Sequence, residues 1–409
     1  MAVVVINNAI RKHSSSSSSL SSGDRLIPFT IFDKAAVNCH LAAFYAFKPP
    51  IPSNEVLKEA LSKVLVHFPH LAGRFVTDNL GQPCIILNNA GVRIIETYID
   101  TTLAKKLPFH PTKDVRHLVP PVEGRIEELC QIQLNRYACG GLVLGFTYHH
   151  SVADGQSVSC FLFAWARIIR GLDLEPLPYH DRHSVCRPRN PPRVEFDHSS
   201  IEFKKPSLVD TNIPAGYETK VTQARQLDLE ESTQVKVAVN GRERIVSKPA
   251  VPIEYWGNLV LWAYPSLKVK ELLNKSHAYV AKTIRDEVSR VDDRYFKSFI
   301  DFGAADQSTG GGGGKDRENG FRFGGILCPN IKVDSYLRFQ FHSLDFGSGS
   351  PCAVFPANLP REGLVVFMPS KTEDGGVDVI VTLLVEHVPL FKQISHSIIT
   401  DNNRLSPKL

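Results

Sequence analysis

Hydrophobic positions change period around residue 150, and that change predicts the first two elements. Leu142-Val143-Leu144-Gly145-Phe146-Thr147 is a continuous apolar run of strand length, so it reads as a buried strand. Beyond Gly155 the spacing becomes three and four: Val158, Phe161, Leu162, Trp165 and Ile168–Ile169 predict an amphipathic helix that ends at Gly171. The same spacing predicts a helix over Ser53–Phe68, capped by Ser53 or Asn54 and buried through Val56, Leu57, Leu61, Val64 and Leu65, with Pro69 helping to stop it.

Elsewhere the pattern favours short strands. Residues 26–47 are apolar with Asp33 interrupting, and fit strand, turn, strand. Leu71–Phe75 enters a strand, 84–87 and 92–95 read as a hairpin around Asn88-Asn89-Ala90-Gly91, and 131–136 joins 142–147 through Ala138–Gly141. Prolines at 176, 178, 188, 191, 192, 206 and 214 then describe a long irregular crossover. Past it, Val235-Lys236-Val237-Ala238-Val239 alternates as a strand, and 259–263 is another. Residues 268–296 carry helical periodicity, five glycines at 310–314 mark a loop, and strands are predicted near 337–342, 352–355, 363–368 and 377–384. The mixture is α/β, with residues 1–175 and 216–409 as two domains and 176–215 as the crossover. Ala2–Ile6 reads as a strand followed by a serine loop, in preference to a transit peptide, because no amphipathic Arg-rich helix follows.

Composition narrows the function classes. Hydrophobic residues make up 43% and charged residues 22%, an ordinary globular balance. The net charge of +5 is spread along the chain without a basic block among aromatics, which argues against a nucleic-acid partner, and no apolar run reaches the ~18 residues of a membrane span. Eight scattered cysteines fit buried thiols in a reducing, cytoplasmic setting.

Candidate chemistry sits where the strand at 142–147 breaks into its helix, at Tyr148-His149-His150-Ser151-Val152-Ala153-Asp154-Gly155. An imidazole with an unperturbed pKa near ~6.5 and no nucleophile beside it suits general-base work. His150 and Asp154, four apart across a turn, usually diverge, so Asp154 takes a structural role, through an ion pair or through backbone N–H groups at the helix start. A satisfied core histidine and an ordinary N-cap remain the competing account of the same residues. A third metal ligand is missing, and no metal is expected.

With His150-Ser151-Val152-Ala153-Asp154-Gly155 early and Asp345-Phe346-Gly347-Ser348-Gly349 late, the chain resembles the plant BAHD acyl-CoA-dependent acyltransferases. Leu71-Ala72-Gly73-Arg74, Asn240-Gly241-Arg242 with Arg244, and Phe299-Ile300-Asp301-Phe302 add to the match. Runs at 136–141, 188–198 and 295–302 resemble the amine-acylating branch, with its agmatine coumaroyltransferases and tryptamine hydroxycinnamoyltransferases. The resemblance implies two chloramphenicol-acetyltransferase-like domains with mixed sheets and a channel between them. His150 would be the base, and Asp154 would pair with Arg242, or otherwise Arg244. Gly155, Asp345, Gly347 and Gly349 would be structural. It also implies acyl-CoA as co-substrate with no permanent cofactor, a small amine acceptor, and a cytoplasmic monomer.

An agmatine guanidinium needs a carboxylate partner, and Asp301, Asp306, Glu362 and Asp374 are the candidates among acids of the second half; tryptamine needs an aromatic slot instead. Two departures from the family pattern stand out. Ser348 replaces the usual Trp, and Lys220 abuts Val221 where relatives carry a strand and two helices. The missing segment keeps a truncated, impaired paralogue open as an alternative, beside an O-acyltransferase using an alcohol acceptor.

Overall fold

Two mixed sheets and the helices that cover them bring the 148–155 stretch to the junction between the halves of the chain. The computed structural model describes residues 6–10, 25–109, 113–122, 124, 126–199, 201–203, 228–246, 250–308, 329–357, 362–370 and 376–393. The first half forms β1 (Ile6–Ile10), β2 (Leu26–Pro28), α1 (Ile31–Ala35), β3 (His40–Phe47), α2 (Asn54–Val64), β4 (Arg74–Thr77), β5 (Pro83–Ile86), β6 (Val92–Ile99), β7 (Cys130–Tyr137), β8 (Leu142–His149) and α3 (Gly155–Ile169). After the short α4 (Arg182–Val185) come β9 (Ser232–Asn240), β10 (Val260–Ala263), β11 (Ser266–Lys268), α5 (Val269–Asn274), α6 (His277–Arg290) and α7 (Asp293–Ser308). The described chain then forms β12 (Ile331–Ser335), β13 (Ala353–Pro356), β14 (Leu364–Pro369) and β15 (Val377–Val381).

The first sheet runs β1-β6-β7-β8-β3-β13 and is antiparallel except between β6 and β7. Its edge strand β13 comes from the late chain, so the sheet draws on both halves. The second sheet runs β10-β9-β12-β14-β15, with β12 parallel to both neighbours. A small third sheet runs β2-β5-β4.

β8 is buried along its whole length, as its apolar run requires. Gly145 is needed at its centre, because a Cβ there would lie 2.1 Å from the Leu118 carbonyl oxygen. α3 begins at the 148–155 turn with Asp154 as N-cap, and its apolar face packs beside α2, where the Trp165 indole N–H donates to the Leu57 carbonyl at 3.1 Å.

The Asp345–Gly349 turn sits at the other end of α3. Its 15 residues correspond to a rise of about 22 Å. Asp345 Oδ1 accepts the N–H groups of Gly347 and Gly349 at 2.7 and 2.8 Å, and both glycines hold φ values, +93° and +82°, that suit only residues without a side chain. The turn thereby drives Phe346 between Phe47 and Trp165, edge-on to each at 5.3 and 5.1 Å.

Several expectations are corrected. The residues 84–87 and 92–95 form no hairpin: β5 pairs with β2 and β4, while β6 joins the first sheet. Residues 31–35 are a helix, closed by a capping box between Thr30 and Asp33, where a turn was expected. The strand expected near 337–342 lies earlier, at β12, and the single periodic stretch over 268–296 is divided among α5, α6 and α7. Of the strand expected at Ala2–Ile6 only Ile6 lies within the described residues, where it begins β1. The 310–314 loop and the Lys220–Val221 junction lie outside the described residues.

Phe346→Ala should cost about 3–5 kcal/mol by emptying the space between Phe47 and Trp165. A denaturant midpoint within error of the unsubstituted chain would show that the turn does not anchor this core.

Candidate active site

β8 ends at His149, and the chain turns through His150–Ala153 before α3 starts. The backbone N–H of His150 donates to the Cys39 carbonyl at 2.9 Å, tying the turn to the start of β3. The ring Nδ1 lies 3.2 Å from the Ala153 carbonyl oxygen. A carbonyl can only accept, so Nδ1 carries the proton and Nε2 keeps its lone pair. Burial lowers the ring's pKa and Lys332 pushes it down further, while its own backbone carbonyl, Asp154 and Asp334 pull it back up. The neutral, proton-accepting form is therefore favoured near neutral pH.

Asp154 makes no bond to that ring. Its Oδ2 accepts from Arg242 Nη1 at 2.8 Å and from the Leu259 N–H at 3.0 Å; Oδ1 accepts from Arg242 Nη2 at 3.1 Å and from the Ser157 N–H at 3.0 Å. Arg242 Nη2 also reaches the Tyr255 and Gly257 carbonyls at 2.7 and 3.0 Å. The ion pair expected with Arg242 is thus formed, and the helix-start role of Asp154 is formed with it. Next in sequence, Gly155 lies under the Phe339 ring, whose carbons would stand 3.0 and 3.1 Å from any Cβ placed there.

Of the four acids proposed for the acceptor, the structure places the side chains of two, Asp301 and Glu362, and both are buried. Asp301 is fully buried, accepting from the Arg189 N–H at 2.7 Å, Arg189 Nε at 2.5 Å and the Arg193 N–H at 2.8 Å. It holds the crossover to α7, with almost none of its side chain exposed. Glu362 is also buried, just ahead of β14. Asp306 lies in α7, with its side chain outside the described residues, and Asp374 lies outside them altogether.

Of the second sheet, Lys332 and Asp334 act on the His150 ring. One side of the second sheet packs through Val239, Leu261 and Ala263 on Phe296 and Phe299 of α7. Its other side carries Lys236, Trp262, Lys332 and Asp334, and shares that side with Leu364 and Val366, which join the core of the first half. Lys236 Nζ and Lys332 Nζ lie 4.3 and 5.0 Å from the Trp262 ring centroid, and Lys332 pairs with Asp334 at 2.9 Å. The sequence held a signal for part of this, since strict alternation in β9 puts Lys236 opposite the core valines. Nothing in the sequence placed Trp262, Lys332 or Asp334 beside it.

A family model described as the Transferase family matches residues 10–214 and 219–397. The chain is 40% identical over 419 aligned positions to tryptamine hydroxycinnamoyltransferase 2 of Oryza sativa subsp. japonica, covering 92% of this chain and 94% of that one. It is 36% identical over 418 positions to agmatine coumaroyltransferase-1 of Hordeum vulgare, covering 91% and 94% respectively. Both alignments exceed the 409 residues of the chain, so each relative carries positions without a counterpart here. In fold the chain is similar to vinorine synthase, with a TM-score of 0.68 at 19% identity over 95% of this chain and 96% of that one.

Burial holds the rings of His40, His70, His149, His150 and His180 below the ordinary histidine pKa, His149 at about 3. The unfolded chain binds protons at these sites near pH ~6.5 while the folded chain does not, so stability falls as pH drops below that value. His149 alone should account for about 2 kcal/mol of loss at pH 5. Melting temperature measured from pH 7.5 to 5 should decline steadily; a flat profile would mean these rings are protonated or solvated in the fold.

Proposed function

The chain belongs to the Transferase family, the BAHD acyltransferases, and from that membership we propose that it transfers a hydroxycinnamoyl group from its CoA thioester to a primary amine, forming an amide. The observation that carries this is the fixed tautomer of His150, whose bond to the Ala153 carbonyl leaves Nε2 as the acceptor. An aliphatic amine is protonated in neutral water and attacks only when neutral, so it needs a base as the new bond forms. In the proposed step the amine nitrogen bonds to the thioester carbon and Nε2 takes its proton. The carbon–sulfur bond then breaks, and the proton passes from Nε2 to the departing thiolate. No covalent enzyme intermediate is required. The similarity to tryptamine and agmatine acyltransferases over more than 90% of the chain supports an amine acceptor.

The residues opposite His150 favour an aromatic monoamine over a guanidino amine. Lys236 and Lys332 flank Trp262, and the nearby Asp334 is already paired with Lys332, so a second cation meets like charge there. An indole or phenyl ring meets an aromatic face.

A second reading, an impaired truncated paralogue, rests on two observations: relatives carry positions without a counterpart here, and the family match is interrupted between residues 214 and 219. A purified chain that melts cooperatively and releases no CoA from coumaroyl-CoA with any amine would favour it.

His150→Ala should lower kcat about 10²–10⁴-fold with the fold intact. Near-normal turnover in that variant would remove His150 from the mechanism. Lys332→Ala frees the Asp334 carboxylate, and should raise the agmatine-to-tryptamine ratio of kcat/KM by about tenfold, the worth of one charge-assisted contact. An unchanged ratio would show that this face does not meet the acceptor.

A further inference from the structure

A second buried ion pair closes on the His150 turn from the side opposite Arg242. Asp33, at the start of the chain's first helix, and Arg182, in the crossover, are 1% and 8% exposed, and their Oδ2 and Nη1 atoms lie 2.7 Å apart. Oδ2 also accepts from the Thr30 N–H and hydroxyl, each at 2.9 Å. Oδ1 accepts from Asn258 Nδ2 at 3.0 Å and from its backbone N–H at 3.4 Å. Two further donors of this group reach the turn. Asn258 Nδ2 donates to the His150 carbonyl at 2.9 Å, and Arg182 Nη2 donates to the Val152 carbonyl at 3.3 Å. Both partners of Asn258 Nδ2 are acceptors, which fixes the orientation of its amide.

The turn's carbonyls are thereby divided among three donors. Asn258 holds that of residue 150, Arg182 holds that of residue 152, and the His150 ring itself takes that of residue 153. The ring's aim depends on where the 153 carbonyl stands, and that depends on the two before it. Asp33 accepts from Arg182 and Asn258 and so orients the two residues that donate to the turn. Consecutive backbone N–H groups at 258 and 259 go to Asp33 and Asp154, so one short strap lies between the two ion pairs.

We infer that Asn258, held by the Asp33–Arg182 pair, is a positioning residue for the reaction: it sets the His150 turn so that Nε2 is presented to the acceptor, without touching substrate. This rests on His150 being the base. The charged and titratable groups around the ring are Tyr148, His149 and Asp154 of the first half and Lys332 and Asp334 of β12, and the test leaves all of them in place.

The experiment compares Asn258→Ala and the charge-neutral double variant Asp33→Asn/Arg182→Met with the full-length parent. In both, kcat should fall roughly ten- to a hundredfold, as expected for a misplaced catalytic group, with KM for coumaroyl-CoA and the amine within about twofold. The acid limb of kcat should move up towards ~6.5 as the ring loses its fixed surroundings. A merely structural role would lower the melting point and leave that limb in place. Histidine ring carbon NMR, assigned with His150→Gln, reads the His150 tautomer and titration directly, and so decides the matter even if the parent turns over no amine. Loss of the single Nδ1-protonated tautomer in the double variant, or in Asn258→Ala, supports the inference. Parental tautomer, acid limb and kcat in folded variants overturn it, and a failed parental turnover beside altered ring NMR would count against the proposed function alone.

Discussion

A charge pair without water around it governs this structure. Arg242 and Asp154 have side chains 0% and 2% exposed, and they come from opposite halves of the chain. Removing one partner from such a pair usually costs 3–5 kcal/mol, because the other stays buried and uncompensated. Neither half can therefore move away without exposing or stranding a charge. The pair also fixes geometry at atomic scale. Arg242 Nη2 gathers the Ser157 hydroxyl and the Tyr255 and Gly257 carbonyls, and Asp154 caps α3. The start of α3 and the 255–259 strap are in this way registered to each other.

That registration explains why a histidine and an aspartate four residues apart do different work. A carboxylate bonded to the imidazole would raise its basicity and hold its proton. Here Asp154 spends all its strong contacts on Arg242 and backbone, and a neutral carbonyl accepts the hydrogen bond from Nδ1–H. A partly buried ring paired with a carbonyl stays uncharged near neutral pH, and an uncharged ring is what can accept a proton from an attacking amine. The ion pair shapes the turn, while the ring keeps its basicity for chemistry.

How much of this was legible in the sequence depended on the range of the interaction. The period change at Gly155 gave the strand, the turn and α3 correctly, because local spacing decides them. Ser53 gave the start of α2 for the same reason. The Asp154–Arg242 pairing spans 88 residues and followed from family resemblance, since no local pattern encodes it. Asp301 shows the opposite failure. An acid in an otherwise apolar 299–302 stretch looks available, yet Arg189 and Arg193 return from the crossover more than a hundred residues earlier and consume it. Asp33 carried a signal that went unused: a single acid interrupting an apolar stretch is costly to bury unless something pairs with it. Nothing local named Arg182 as that partner.

The shortening proposed near Lys220–Val221 stands apart from the same network. Asp33, Asp154, Arg182, Arg242 and Asn258 all lie within the described chain and are bonded to one another or to a shared backbone segment. The junction at Lys220–Val221 lies outside the described residues. Elements absent there would subtract packing from the beginning of the second half, a loss that scales with the apolar surface left uncovered. Such a loss lowers the stability of the scaffold as a whole. It does not redirect the turn, because the turn's position is set by donors and acceptors at fixed distances, and those are satisfied among the described residues. The geometry that aims His150 and the margin that keeps the second half folded are therefore separate quantities in this chain, and a change in one need not appear in the other.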